Sequence, residues 1–121
     1  MTYDDYNSFC ACLPATSHVV QWGGAHVWKV GTKVFAIGGW DRGVEPRITF
    51  KVSDIAFEIL KGEPGLRPAP YLASRGMKWI QHFEKPGLSD EDLKLYLAES
   101  HRIVARGLTK KMRRELGLDP A

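Results

Sequence analysis

The sequence predicts an α+β fold, a two-layer sandwich in which an antiparallel sheet is covered on one face by helices. Three observations carry this. Short segments alternate apolar and polar residues with a period of two, as half-buried strands do. Gly31-Thr32 between two such segments suits a two-residue hairpin turn. Ser/Thr-capped amphipathic segments lie between and beyond the strands, without the regular strand–helix alternation that builds parallel sheets.

In chain order, Thr2 is an N-cap followed by Asp4 and Asp5, and Tyr6, Phe9, Cys10 and Leu13 recur at helical spacing until Pro14 stops the pattern. Ser17 to Trp22 reads as a short strand, and Gly23-Gly24 as a turn. His26–Val30 and Lys33–Gly38 form the hairpin around Gly31-Thr32. Its register is expected to oppose Trp28 to Phe35 and His26 to Ile37, so that Trp28, Val30, Phe35 and Ile37 share one surface and Val27, Lys29, Val34 and Ala36 the other. After a loop from Gly38 to Pro46, Ile48, Phe50 and Val52 alternate with Arg47, Thr49 and Lys51 in a further strand. Ser53 caps a short helix carrying Ile55, Ala56, Ile59 and Leu60, ended by Gly62 and Pro64. Met77 to Phe83 alternates again, with Met77, Trp79, Gln81 and Phe83 expected toward the helices. Ser89 opens a long helix whose stripe of Leu93, Tyr96, Leu97, Ser100, Val104 and Leu108 ends near Gly107, and Thr109 caps a basic helix anchored by Met112 and Leu116. Residues 1–116 form a single domain, with 117–121 as a tail.

The 121 residues suit one domain with one core. No apolar run approaches a membrane span and no signal segment opens the chain, which predicts a cytoplasmic protein. Cys10 and Cys12 project about 200° apart on a helix, too divergent to share a metal, so Cys10 is read as core and Cys12 as a partly exposed thiol. His18, His26, His82 and His101 fall on different elements without ligand spacing, and the paired glycines lack a phosphate-loop context. Neither a metal, a cofactor nor an enzymatic activity is expected.

Net charge is only +3, so a case for anion binding rests on where the cations lie. Superposing the strand alternations puts Lys29, Arg47, Thr49, Lys51, Lys78 and His82 on the face away from the helices. Beside it runs Arg67-Pro68-Ala69-Pro70-Tyr71, a proline-stiffened basic loop leading to Arg75. Lys29, Lys33, Arg47, Lys51, Arg67, Arg75 and Lys78 are the candidate phosphate contacts, with Trp40 or Tyr71 for stacking. The basic C-terminal run of Arg102, Arg106, Lys110, Lys111, Arg113 and Arg114 reads as the solvated face of the last helices.

Several segments together resemble the MmcQ/YjbR-like family of small bacterial proteins: Tyr3-Asp4-Asp5-Tyr6 with Phe9-Cys10 and Leu13-Pro14, the hairpin Trp28 to Ala36, Ile48 to Val52, Arg67 to Leu72, Arg75 to Trp79, and Gly107 to Lys111. Thr32 stands where that family often has a second glycine. The resemblance implies a frataxin-like or secretion-chaperone-like sandwich and a DNA-binding role through a double wing, here the Lys29–Lys33 hairpin and the Arg75–Trp79 region. A monomer binding DNA with little sequence preference is the expected function. The alternative is a chaperone-like or adaptor-like module whose open sheet or edge strand receives another chain. An iron role would want clustered exposed carboxylates, and Asp4 and Asp5 are only a pair.

Overall fold

The computed structural model describes residues 1–39, 46–70, 72 and 76–118. Its helices begin where the caps predict. In α1 (Tyr3–Cys12) the Thr2 hydroxyl accepts from the Asp5 amide at 3.0 Å, and the Asp5 carboxylate accepts from the Thr2 amide at 3.2 Å, a reciprocal capping box. Ser53, Ser89 and Thr109 each accept from the amide three residues on, opening α2 (Asp54–Leu60), α3 (Asp90–Arg106) and α4 (Lys110–Glu115). The α3 stripe buries Leu93, Leu97, Ser100 and Val104 as its spacing predicts. On α2 the buried residues are Phe57 and Leu60, while Ile55 and Ile59 of the expected apolar set are exposed.

Strands β1 (Thr16–Gln21), β2 (Ala25–Val30), β3 (Lys33–Gly38), β4 (Ile48–Lys51), β5 (Leu66–Pro68) and β6 (Trp79–His82) form one antiparallel sheet in the order β1-β2-β3-β4-β6-β5. Between the sheet and the helices lies the main core, led by Tyr6, Phe35, Ile48, Phe50, Ile80, Leu93 and Leu97. This is the expected α+β two-layer sandwich. Tyr6 ties the layers together: its hydroxyl donates to the His26 carbonyl at 2.9 Å, and its ring lies so close to Gly38 that a Cβ there would come within 2.6 Å. Leu118 also packs against this core.

Three expectations are corrected. A bulge at Trp28/Lys29 lets Lys29 face Val34 and Trp28 face Ala36, so Phe35 and Ala36 both turn toward the helices and Ile37 moves to the opposite face. Strand β6 has the opposite phase to that expected. It pairs Phe50 with Ile80 and Lys51 with Trp79, which sends Ile80 and His82 toward the helices and Trp79 and Gln81 away. Arg67-Pro68, read as a loop, belongs to β5, where proline is tolerated because the strand is at the sheet edge.

Candidate nucleic-acid interface

The face away from the helices is neither continuous in charge nor wet. Paired residues share a face, so one row runs across all six strands: Val19, Val27, Ile37, Thr49, Gln81 and Arg67. Its middle is buried. Ala25, Val27 and Ile37 form a second small apolar cluster with Val34 and Leu72 packed against it, and Thr49 and Gln81 are inaccessible to solvent.

The row's polar end is hydrogen-bonded side chain to side chain. Gln81, 1% exposed, donates through Nε2 to the Thr49 hydroxyl at 3.3 Å and accepts at Oε1 from Arg67 Nε at 2.9 Å and Nη2 at 2.6 Å. The Arg67 guanidinium also lies 4.4 Å from the Phe83 ring centroid. Arg67 therefore serves to satisfy a buried amide. Lys78 is likewise engaged away from the expected face, its ammonium 4.7 Å from the ring centroid of Phe57 on α2. Half-buried His82 lies on the helix side, where burial pushes its imidazole below the ordinary range. The Arg47 amide donates to the Tyr3 hydroxyl at 3.1 Å and the Arg47 carbonyl accepts from Gly39 at 2.8 Å, anchoring the entry to β4. Lys29 and Lys51 stay on the far face, Lys51 5.9 Å from the Trp79 ring centroid. Arg75, Trp40 and Tyr71 lie outside the described residues. The six described candidates thus do not converge on one surface.

A different set of cations does converge. The Gly31-Thr32 turn is seated on α4: a Cβ on Gly31, at φ +59°, would lie 3.1–3.2 Å from the side chains of Leu108, Leu116 and Met112, a fit that glycine alone allows without strain. Lys33 Nζ donates to the Gly107 carbonyl at 3.0 Å, joining the hairpin to the end of α3, and Arg113 donates to the Arg106 carbonyl at 3.1 Å, joining α3 to α4. Lys33, Arg106, Lys110, Lys111, Arg113 and Arg114 are thereby gathered at one end of the molecule, with Lys51 across a shallow pocket from Lys33. Glu115 is the one carboxylate in residues 106–118. Arg102, by contrast, is held by Glu99 at 2.9 Å.

Two histidines that looked scattered also meet. His18 and His26 lie diagonally across β1 and β2, with Nε2 and Nδ1 3.1 Å apart and rings stacked at 5.4 Å. The signal was the Val20↔His26 register, readable only once the Gly23-Gly24 turn length is known.

The fold and this basic end define a small two-layer α+β protein with a hairpin docked beside a cationic helix. The chain belongs to the YjbR family, whose model matches residues 11–103. It is also similar to the crystal structure of Deinococcus radiodurans protein DR2400, which has a DUF419 domain: 26% identity, a TM-score of 0.84, and coverage of 99% of this chain and 91% of that one. No curated protein matches the chain. No helix among the described residues is long and apolar enough to cross a membrane.

Proposed function

We propose that the protein binds duplex DNA through phosphate contacts from its basic end, with little sequence preference and without turnover of its own. The supporting observation is the seating of the hairpin turn on α4, which joins Lys33 to Arg106, Lys110, Lys111 and Arg114. Lys29 and Lys51 flank them from the sheet. Helices α1, α2 and α3 carry acidic residues in their first turns, whereas α4 carries Lys110 and Lys111 there, against the helix dipole. Cations placed against the helix's own interest are suited to an external anion. The β2–β3 hairpin is one of the two wings the family resemblance implies.

Fluorescence anisotropy of a labelled duplex at several salt concentrations tests this. Non-specific binding is expected with dissociation constants on the order of 10⁻⁴–10⁻⁶ M and a log–log salt slope of roughly −0.9 per neutralised phosphate. Combining Lys110→Ala, Lys111→Ala and Arg114→Ala should weaken all sequences alike and reduce the slope by roughly 2–3. Lys78→Ala should leave it unchanged. Equal slopes for wild type and the triple variant would overturn the proposal.

A second reading, strand addition by another copy of the chain, is favoured by the contrast between the two sheet edges. β5 is short and carries Arg67 and Pro68, which discourage pairing, whereas β1 has six residues, no Lys, Arg, Asp or Glu, and an exposed Val20. No described strand pairs with its outer edge. Sedimentation equilibrium distinguishes this reading: a mass that rises with concentration and reverts to monomer in Val20→Lys supports it, and a constant monomer mass rejects it.

A further inference from the structure

We infer that the pocket between Lys33 and Lys51 takes a single nucleotide, its phosphate between the two ammonium groups and its base over the apolar floor. This rests on the DNA-binding proposal for the adjoining basic end. The pocket, about 280 Å³, lies where the ends of β3 and β4 meet the last turn of α3. Its cations are Lys33 and Lys51, and its floor is Val34, Met77, Ile103 and Val104. Lys33 spends one donor on the Gly107 carbonyl and retains two.

Trp79 lines the same pocket and supplies the second observation. It is 5% exposed, and its indole N–H is buried without a hydrogen-bond acceptor. Such a donor normally has a partner, and leaving it without one costs about 1–3 kcal/mol. A ligand that answers all three features needs an anionic group, a flat body of low polarity and a carbonyl acceptor. A pyrimidine nucleotide has each. Lys33 belongs both to the pocket and to the basic end, so a strand tracking the phosphate contacts could insert an unpaired or terminal base here, giving single strands an advantage over blunt duplex.

Thymidine 5′-monophosphate titrated into the ¹⁵N-labelled protein tests the site, with the Trp79 indole resonance assigned by its loss in Trp79→Phe. A saturable shift of that resonance is expected, together with tighter binding of oligo-dT than of blunt duplex at equal length. Ile103→Phe, which narrows the pocket, and Lys51→Met, which removes one ammonium, should each weaken the monophosphate by roughly tenfold, the scale of one charge-assisted hydrogen bond. Ile103→Phe should leave α4-dependent duplex binding intact, whereas Lys51→Met, which also removes a cation flanking the basic end, is read on the monophosphate alone; for the monophosphate, either variant suffices if the other is unfolded by circular dichroism. An unmoved indole resonance, or the same shift with inorganic phosphate alone, overturns the nucleotide pocket. Loss of the α4 salt effect on duplex with the nucleotide shift intact would instead overturn the DNA-binding proposal.

Discussion

Replacing Arg67 with alanine separates a structural cation from a phosphate-binding one. In the wild type its guanidinium gives Gln81 Oε1 two hydrogen bonds, and Gln81 itself is only 1% exposed. Both bonds meet on one acceptor atom and are counted as a single charged hydrogen bond of about 1.5–3 kcal/mol, and the contact with Phe83 adds about 0.5–1 kcal/mol at a partly exposed site. The expected loss is therefore about 2–4 kcal/mol. An unfolding entropy of about 2.1 cal/mol/K per residue over 121 residues gives roughly 4 °C per kcal/mol, so thermal melting by circular dichroism should fall by roughly 8–16 °C. The combined variant Arg67→Met, Gln81→Leu, Thr49→Val removes the buried Gln81 amide together with the two side chains that hydrogen-bond it and should recover part of that loss, because the amide is no longer left unpaired. The salt slope for DNA should not change in either protein. An Arg67→Ala protein that melts like wild type but loses about 0.9 from the slope, the value of one phosphate, would refute the structural assignment.

Two further outcomes follow from buried titratable groups. His82 is held neutral by burial, so the unfolded chain binds its proton more readily; stability should fall as pH drops from 7 through the ordinary histidine value toward the lowered folded one, and His82→Asn should flatten that part of the melting-temperature profile. Burial pushes the Cys10 thiol up to about 12, while Cys12 is exposed, so Ellman's reagent should titrate one thiol per native chain and the second only in denaturant, and rapid reaction of both in the native state would contradict the packing of α1.

What the sequence reveals of this fold is mostly local. Thr2, Ser53, Ser89 and Thr109 announce four helix starts, and Gly31-Thr32 announces a hairpin, because caps and tight turns are settled by neighbours a few residues apart. The phase of β6 was not legible, since Trp79-Ile80-Gln81 offers an apolar residue to either face, and only the pairing of Phe50 with Ile80 decides. The hairpin's second half failed for a related reason: Phe35-Ala36-Ile37 is an unbroken apolar run, so nothing in it marks the bulge. Both errors fed the expectation of one basic sheet face. That expectation also assumed the far face was wet, and Val27, Ile37, Thr49 and Gln81 are buried there, with Leu72 against the apolar pair.

The convergence that replaces it depends on contacts far apart in the chain, Gly31 with Leu108, Met112 and Leu116, and Lys33 with Gly107. No periodicity reports such a pairing. Yet a trace of it was present in the charges. The acids at Asp4-Asp5, Asp54 and Asp90-Glu91-Asp92 each sit where they favour their own helix, and Lys110-Lys111 sits where it does not. A chain that obeys a local rule three times and breaks it once points to the exception as the place where something other than stability is being served. On that logic Lys110→Glu and Lys111→Glu should make α4 a better helix while making the protein a poorer ligand for any polyanion, and it is this opposition, measured as a raised melting temperature beside a weakened affinity for duplex, that would tie the basic end to the proposed binding rather than to the fold.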